Sequence, residues 1–313
     1  MLKAFSRVAV VASSLSDDLH AVPEVARRAG FSGVLLEAAD PAFVDLSATG
    51  AREVRTLLGR FEQPLVGLAM HLGRDGLRPG GDLDRVLARV ERALQVARLL
   101  QATMLTVDVG RLPAPARVEA PRPTASDAGL GGLAGGLAGS IIVPRPEDVP
   151  AGLRADGSGG GAGVEGPADP AFSGRVAEGM AQLGVLADRY SVLMAFSSQL
   201  ASYAALSSAV EQAACPSFGY DLDPVALVAD PAEAEAVFGM LVGPILHVRG
   251  RDGQRGDAGR TRLTPVGKGE VQWGRLAGLL DDAGYHGFVS VDTRGLTNEG
   301  SHARQARAFF ADF

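Results

Sequence analysis

The chain has 313 residues, 46% of them hydrophobic and only 5% aromatic, so it can bury one large core built mainly of Ala, Val and Leu. Thirty Lys and Arg stand against 36 Asp and Glu, a net charge of −6 with no basic block, which argues against nucleic acid as a partner. The single cysteine, Cys215, can form neither an internal disulfide nor a cysteine-rich metal cluster, and fits a reducing compartment.

The first apolar run, Val8–Ala12, is too short for a signal segment or a membrane span. The expectation is therefore a soluble, cytoplasmic protein with no membrane partner. Seven further runs follow: Val34–Ala38, Leu65–Met70, Met104–Val109, Val192–Phe196, Phe218–Leu222, Ile245–Val248 and Phe288–Val291. Each is rich in Val, Leu and Ile and reads as apolar on both faces, as a strand between helices and a barrel interior would.

Between the runs lie stretches of helical spacing: His20–Ala29, Ser47–Phe61, Leu83–Leu100, Phe172–Tyr190, Gln199–Ala213, Pro231–Leu241, Val271–Ala283 and His302–Phe313. Gly30, Gly284 and Gly287 sit where helices should stop, and Asp17 or Asp18, Asp82 and Asp230 where N-caps are wanted. Strand and helix thus alternate eight times. The pattern predicts an α/β fold, a closed (β/α)8 barrel in a single domain over 1–313; an open doubly wound sheet is the competing architecture.

One segment breaks the rhythm, since residues 112–170 hold 13 Gly and 9 Pro. Such composition predicts a flexible, low-complexity insertion after the fourth strand, emerging on the C-terminal face of the barrel. Its run Gly129–Gly139 looks superficially like a phosphate-binding loop, but neither follows a strand directly nor opens a convincing helix. Ile141–Val143 would give the insertion one extended anchor.

In a barrel of this kind chemistry is placed where strands end at their C-terminal side. There the sequence offers Glu37, His71, Asp108, Ser197, Asp221 with Asp223, His247 with Arg249 and Arg251, and Asp292. The side-chain period of two puts Asp221 and Asp223 on one face, and likewise His247, Arg249 and Arg251. Such a cluster suits a polyhydroxylated or anionic small molecule. The bland alternative is that strand ends are polar because they meet water, that the two histidines are core residues, and that Glu37 and Asp108 are structural. Neither a His-Glu-x-x-His motif, a Gly-x-Ser-x-Gly elbow nor a Walker loop is present, and Arg255-Gly256-Asp257 reads as chance.

Two stretches carry a resemblance. Val22–Ala38 (VPEVARRAGFSGVLLEA), and more specifically His247–Gly253 (HVRGRDG) with Pro265–Asp292 (PVGKGEVQWGRLAGLLDDAGYHGFVSVD), resemble the opening and closing segments of the xylose isomerase-like TIM barrels, the sugar phosphate isomerase/epimerase type. The resemblance implies a divalent metal held by Glu, Asp, His and Glu at the ends of the fifth to eighth strands. The two Glu would move a proton between adjacent carbons of a sugar while the metal polarises its oxygens. Carried over, these positions fall on Ser197, Asp223, Arg249 and Asp292.

Serine is a poor divalent ligand and Arg coordinates no cation, so the metal site reads as degenerate, with no metal-ligating residue assigned. Arg249 is expected to point inward and satisfy Asp223 and Asp292 in place of the ion. Two functions stay open. One is an isomerase or epimerase acting on a small sugar or keto-sugar (phosphate) by intramolecular proton transfer, with Asp223, Asp292 and Arg249 catalytic and Glu37, His71, Asp108, Ser197, His247 and Arg251 binding substrate. The other is a barrel that binds a carbohydrate-like or anionic ligand, or a partner protein, without turnover. No cofactor is expected beyond a divalent metal (Mn, Mg, Zn or Co) under the enzyme reading, and a homo-oligomer is compatible with either.

Overall fold

A computed structural model of the chain describes residues 5–73, 76–77, 81–110, 112, 170–198, 203–256 and 261–313. Strands β1 (Val8–Val11), β2 (Val34–Glu37), β3 (Leu65–His71), β4 (Met104–Asp108), β5 (Leu193–Ser197), β6 (Phe218–Leu222), β7 (Ile245–Gly250) and β10 (Val289–Val291) close into one barrel. Its order is β1-β10-β7-β6-β5-β4-β3-β2, and every pair is parallel. Helices α1 (Val22–Arg28), α2 (Ala48–Arg60), α3 (Leu83–Leu100), α4 (Pro170–Tyr190), α5 (Tyr203–Ala213), α6 (Pro224–Ala229), α7 (Ala234–Met240), α8 (Trp273–Asp282) and α9 (Glu299–Ala311) connect them. This is the (β/α)8 architecture that the alternation predicts.

The strands are not apolar on both faces. Alternate residues, among them Val8 and Val10, Leu105 and Val107, Met194 and Phe196, and Val289 and Val291, join the large core shared with the helices. The other set packs inward, where the apolar cluster is small, Val11, Leu35 and Ala69 with Val66 against it. Thr106, Asp108, Ser197, Asp221, His247, Arg249 and Ser290 fall on that second set and are buried. A polar interior is tolerable because these groups hydrogen-bond one another.

The barrel seam is welded by aromatic rings. Phe5, just before β1, packs edge-on or tilted against Trp273 of α8 and Phe310 of α9, at centroid distances of 5.8 and 5.2 Å. Such contacts bring the first strand and last helices together and strengthen the plain burial of their area.

Several local expectations are corrected. Asp82 caps α3 through the Arg85 amide, but α1 has no side-chain cap, Asp18 accepting instead from the His20 amide. The helix expected over 231–241 is α7, preceded by a further short, unexpected helix, α6, and Asp230 between them accepts from the amides of Tyr203 and Ala232 rather than capping α7. A hairpin of β8 (Asp252–Arg255) and β9 (Thr261–Thr264) follows β7, which the apolar-run pattern does not reveal because its residues are mostly polar.

The chain divides into a barrel unit, Met1–Pro115 with Pro167–Phe313, and a second unit, Ala116–Gly166. That second unit, with the glycine run 129–139 and Ile141–Val143, lies outside the described residues. Among the described residues no helix is long and apolar enough to cross a membrane.

Candidate active site

Period-two geometry delivers the expected residues to one end of the barrel. Glu37, His71, Asp108 and Ser197 are the last residues of β2, β3, β4 and β5; Asp223 follows β6, Arg249 is the penultimate residue of β7 and Asp292 follows β10. The β6–β7 register shifts between Tyr220 and Asp221, so that Asp221 stands beside His247. Gly219 permits that shift, since a Cβ there would lie 2.4 Å from the Pro244 carbonyl oxygen and 2.7 Å from Cγ of Leu246.

Arg249 points inward, 6% exposed, but its partner differs from the expected one. Nε and Nη2 converge on Oδ2 of Asp221 at 2.7 and 2.6 Å, and Nη2 also donates to Oγ of Ser197 at 2.6 Å. Asp223 is 4.0 Å from Nη1, and Nη1 is buried with no hydrogen-bond partner among the described residues. The correction has a plain cause: Asp221 is the carboxylate whose strand position faces β7, whereas Asp223 lies beyond β6, where its Oδ1 accepts from the Val225 amide and caps α6.

Asp221 is fully buried, and its other oxygen lies 2.7 Å from Nδ1 of His247, whose Nε2 is 2.7 Å from the Ser290 hydroxyl. An ionised carboxylate only accepts, so Nδ1 carries the proton. Both ring nitrogens are thus engaged by protein groups, and His247, which also borders the cavity shared with Arg249 and Ser290, braces Asp221. Burial pushes the Asp221 carboxyl up, but Arg249 and His247 outweigh it and hold the group well below the usual carboxylate range. Burial likewise lowers and Asp221 and Asp223 raise Arg249, which stays charged.

Asp292 is held by a residue the sequence reading missed. Arg294 Nε and Nη2 donate to its two oxygens, each at 2.7 Å, and Arg251 Nη1 is 3.6 Å away. Despite burial, these cations keep Asp292 well below the ordinary range. Arg251 Nη2 sits 3.1 Å from Asp223, which is therefore shared between the two β7-derived arginines, and Arg251 Nε is buried with no partner among the described residues. The only signal for Arg294 is its spacing of two from Asp292, which the strand pattern does not extend to cover.

Tyr203 is a second residue the sequence did not flag. Its hydroxyl donates to the Asp223 carbonyl at 3.2 Å and accepts from the Asp223 amide at 2.9 Å, fixing that backbone from both sides. Burial and the neighbouring Asp223 charge push the phenol well above its ordinary value, so it remains neutral.

On the opposite wall, His71 Nδ1 lies 3.4 Å from Oδ2 of Asp108, whose Oδ1 accepts from the Gly110 amide. Burial raises Asp108, but the His71 bond, the Arg249 charge and the Gly110 amide bring it below its ordinary value. The Glu37 carboxylate accepts a short hydrogen bond from Ser13 and stands 3.4 Å from Arg294 Nη1. His71, Thr106, Arg249, Ser290, Asp292 and Arg294 border one cavity of about 10 Å³, room for a single water or one substrate oxygen.

Among the described residues the mouth thus gathers five carboxylates, Glu37, Asp108, Asp221, Asp223 and Asp292, against three guanidiniums, Arg249, Arg251 and Arg294. Among the described residues no group of three or more His, Cys, Asp or Glu side chains is disposed to hold a metal ion.

No family model matches the chain, and no curated protein matches its sequence. Solved structures do. A xylose isomerase domain protein from Planctomyces limnophilus superposes with a TM-score of 0.65 at 13% identity, over 97% of this chain and 94% of that one. D-psicose 3-epimerase from Clostridium cellulolyticum H10 gives 0.63 at 12% identity over 98% of both, and 3-keto-D-glucoside 4-epimerase from E. coli gives 0.63 at 12% over 98% and 99%. The fold is that of the xylose isomerase-like TIM barrels, a fold on which sugar epimerases are built.

Proposed function

We propose that the barrel takes a small neutral sugar or keto-sugar at its C-terminal mouth and moves a proton between adjacent carbons without a divalent cation. The observation that carries this reading is Arg249: buried, locked onto Asp221 and Ser197, with Nη1 a buried donor that has no hydrogen-bond partner among the described residues. A fixed, buried positive charge can stabilise negative charge developing on a carbonyl oxygen, the task the resemblance gives to a metal. The donor set does not fit a cation. Of the four positions that the resemblance assigns to metal ligands, one is a serine accepting from Arg249, one is Arg249 itself, and the two carboxylates are already held by arginines.

The excess of carboxylates over guanidiniums among the described residues of the mouth favours a neutral polyol over a sugar phosphate, because a dianion would enter a field of its own sign. A second reading, binding without turnover, is favoured by Asp292, whose oxygens are both engaged by Arg294 and so are poorly placed to act as a base.

Chelator-treated protein in D2O tests the choice, with dihydroxyacetone, D-xylulose and D-fructose followed by NMR. Deuterium entering the carbon next to the carbonyl, above the rate in buffer, supports proton transfer. Sugar binding without exchange supports the second reading, and neither binding nor exchange refutes both.

A further inference from the structure

We infer that His71, oriented by Asp108, is the general base of this site, and that its chemistry is aldose–ketose isomerisation rather than epimerisation. The inference rests on the metal-independent proton transfer proposed above. It begins from elimination among the titratable side chains of the mouth. Among the described residues, Asp221 and Asp292 have both oxygens engaged by Arg or His donors; Asp223 is divided between the Val225 amide and Arg251; His247 has both nitrogens taken; Glu37 accepts from Ser13 and Arg294 on Oε1 and does not border the cavity that Arg249 lines. His71 differs from all of these. Its side chain is 42% exposed, Nδ1 faces the nearly buried Asp108 carboxylate, and Nε2 has no hydrogen-bond partner among the described residues.

The topology places the imidazole where a base is needed. In the closed order β1-β10-β7-β6-β5-β4-β3-β2, the strand carrying His71 is four places from the strand carrying Arg249, so the two stand on opposite walls of an eight-stranded barrel. Both border the same cavity. A carbonyl oxygen directed toward the guanidinium would leave the neighbouring C–H on the imidazole side. Asp108 only accepts, so it fixes the proton on Nδ1 and leaves the Nε2 lone pair free, as a base requires.

The step balances without any co-reactant. Nε2 of His71 takes the proton from the carbon next to the carbonyl, and the C–H electron pair forms the carbon–carbon double bond while the carbonyl pair moves onto oxygen, giving an enediolate against Arg249. The proton of the neighbouring hydroxyl passes to the former carbonyl oxygen, and the imidazolium returns its proton to the former carbonyl carbon. Aldose becomes ketose, or the reverse, with no net oxidation. One base works on one face of the enediolate, which suffices for a shift between adjacent carbons. Inversion at a single carbon needs a second base on the opposite face, and the carboxylate four places from Asp108 in the barrel order, Asp292, is clamped by Arg294.

The experiment compares intact protein with His71→Gln and His71→Ala, all folded by thermal melt, using the same three ketoses in D2O. The expected result is deuterium exchange and aldose formation by the unaltered protein, a loss of about 100-fold or more in both variants, and partial recovery of His71→Ala by added imidazole. Binding of the sugars by the variants should persist. Exchange that survives in His71→Gln within about threefold would overturn the role of His71 while leaving metal-free proton transfer standing, and a C-3 or C-4 epimer as product would overturn the isomerase assignment. Absence of exchange by the unaltered protein with all three sugars would overturn both this inference and the reading beneath it.

Discussion

Replacing Arg249 with Met removes the charge but keeps most of the buried stem. Asp221, fully buried, would then lose both contacts on Oδ2, at 2.7 and 2.6 Å, and keep only His247 on Oδ1. Breaking one side of a buried ion pair costs about 4 kcal/mol, because the surviving charge is left without compensation. In a barrel of this size that corresponds to a fall of about 10 °C in Tm. The companion variant Arg249→Met with Asp221→Asn removes both charges while the amide oxygen can still accept from His247. Its cost should fall short of the sum of the two single costs by about 2 kcal/mol. Urea denaturation at pH 7, with calorimetry for Tm, measures all four corners. In Arg249→Met the Asp221 carboxyl loses its main stabiliser and moves upward, so the penalty should shrink as pH falls toward the carboxylate range. Additive costs, or a single-variant cost under about 1 kcal/mol, would refute the idea that Arg249 and Asp221 act as one locked unit.

Three further outcomes are expected. Calorimetry with Mn should show no micromolar binding by the unaltered protein or by Arg249→His, and measurable binding by Arg249→His with Ser197→Glu, strengthened by Arg294→Leu, which frees the oxygens of Asp292. Asp108, Asp221 and Asp292 are all held below their ordinary values, so the stability they contribute is complete above about pH 5 and lost as pH falls through and below about 4. A denaturation midpoint that rose on acidification would contradict that sign. Asp252→Ala should cost at least about 3 kcal/mol in urea denaturation, since this one carboxylate accepts from the amides of Gly253, Gly267, Gly269 and Val271 and from Trp273 Nε1. Gly269→Ala should destabilise too, its Cβ falling 2.1 Å from Oδ1 of Asp252.

The strands were legible because half of each faces the helices and must be apolar: Val8 with Val10, Leu105 with Val107 and Met194 with Phe196 announce themselves whatever lies on the inner face. That same reading concealed the interior. A run of four or five residues with one small or polar member looks uniformly apolar, so Ala9, Thr106 and Ser290 did not reveal that the inner face is largely polar. Helix limits slipped where the signal was a polar residue with more than one use. Asp230 has the composition of an N-cap, yet the amides it satisfies belong to Tyr203 and Ala232.

The site shows why residue types can be read from a chain before partnerships can. Which polar residues reach the mouth follows from position along a strand, a local property, and Glu37, His71, Asp108, Ser197, Asp223, Arg249 and Asp292 all stand at strand ends. Which carboxylate meets which cation depends on register between strands, a non-local property. The shift between β6 and β7 sets Asp221 beside His247, and that shift depends on Gly219 leaving room for the Pro244 carbonyl and Leu246. Once Asp221 holds Arg249, Asp223 falls to Arg251 and Asp292 to Arg294, and nearly every carboxylate of the mouth has a donor from another residue. What the pairing leaves over is chemically more telling than what it uses. One guanidinium N–H and one imidazole nitrogen, on opposite walls of one barrel, are the charge stabiliser and the base that the proposed proton transfer requires.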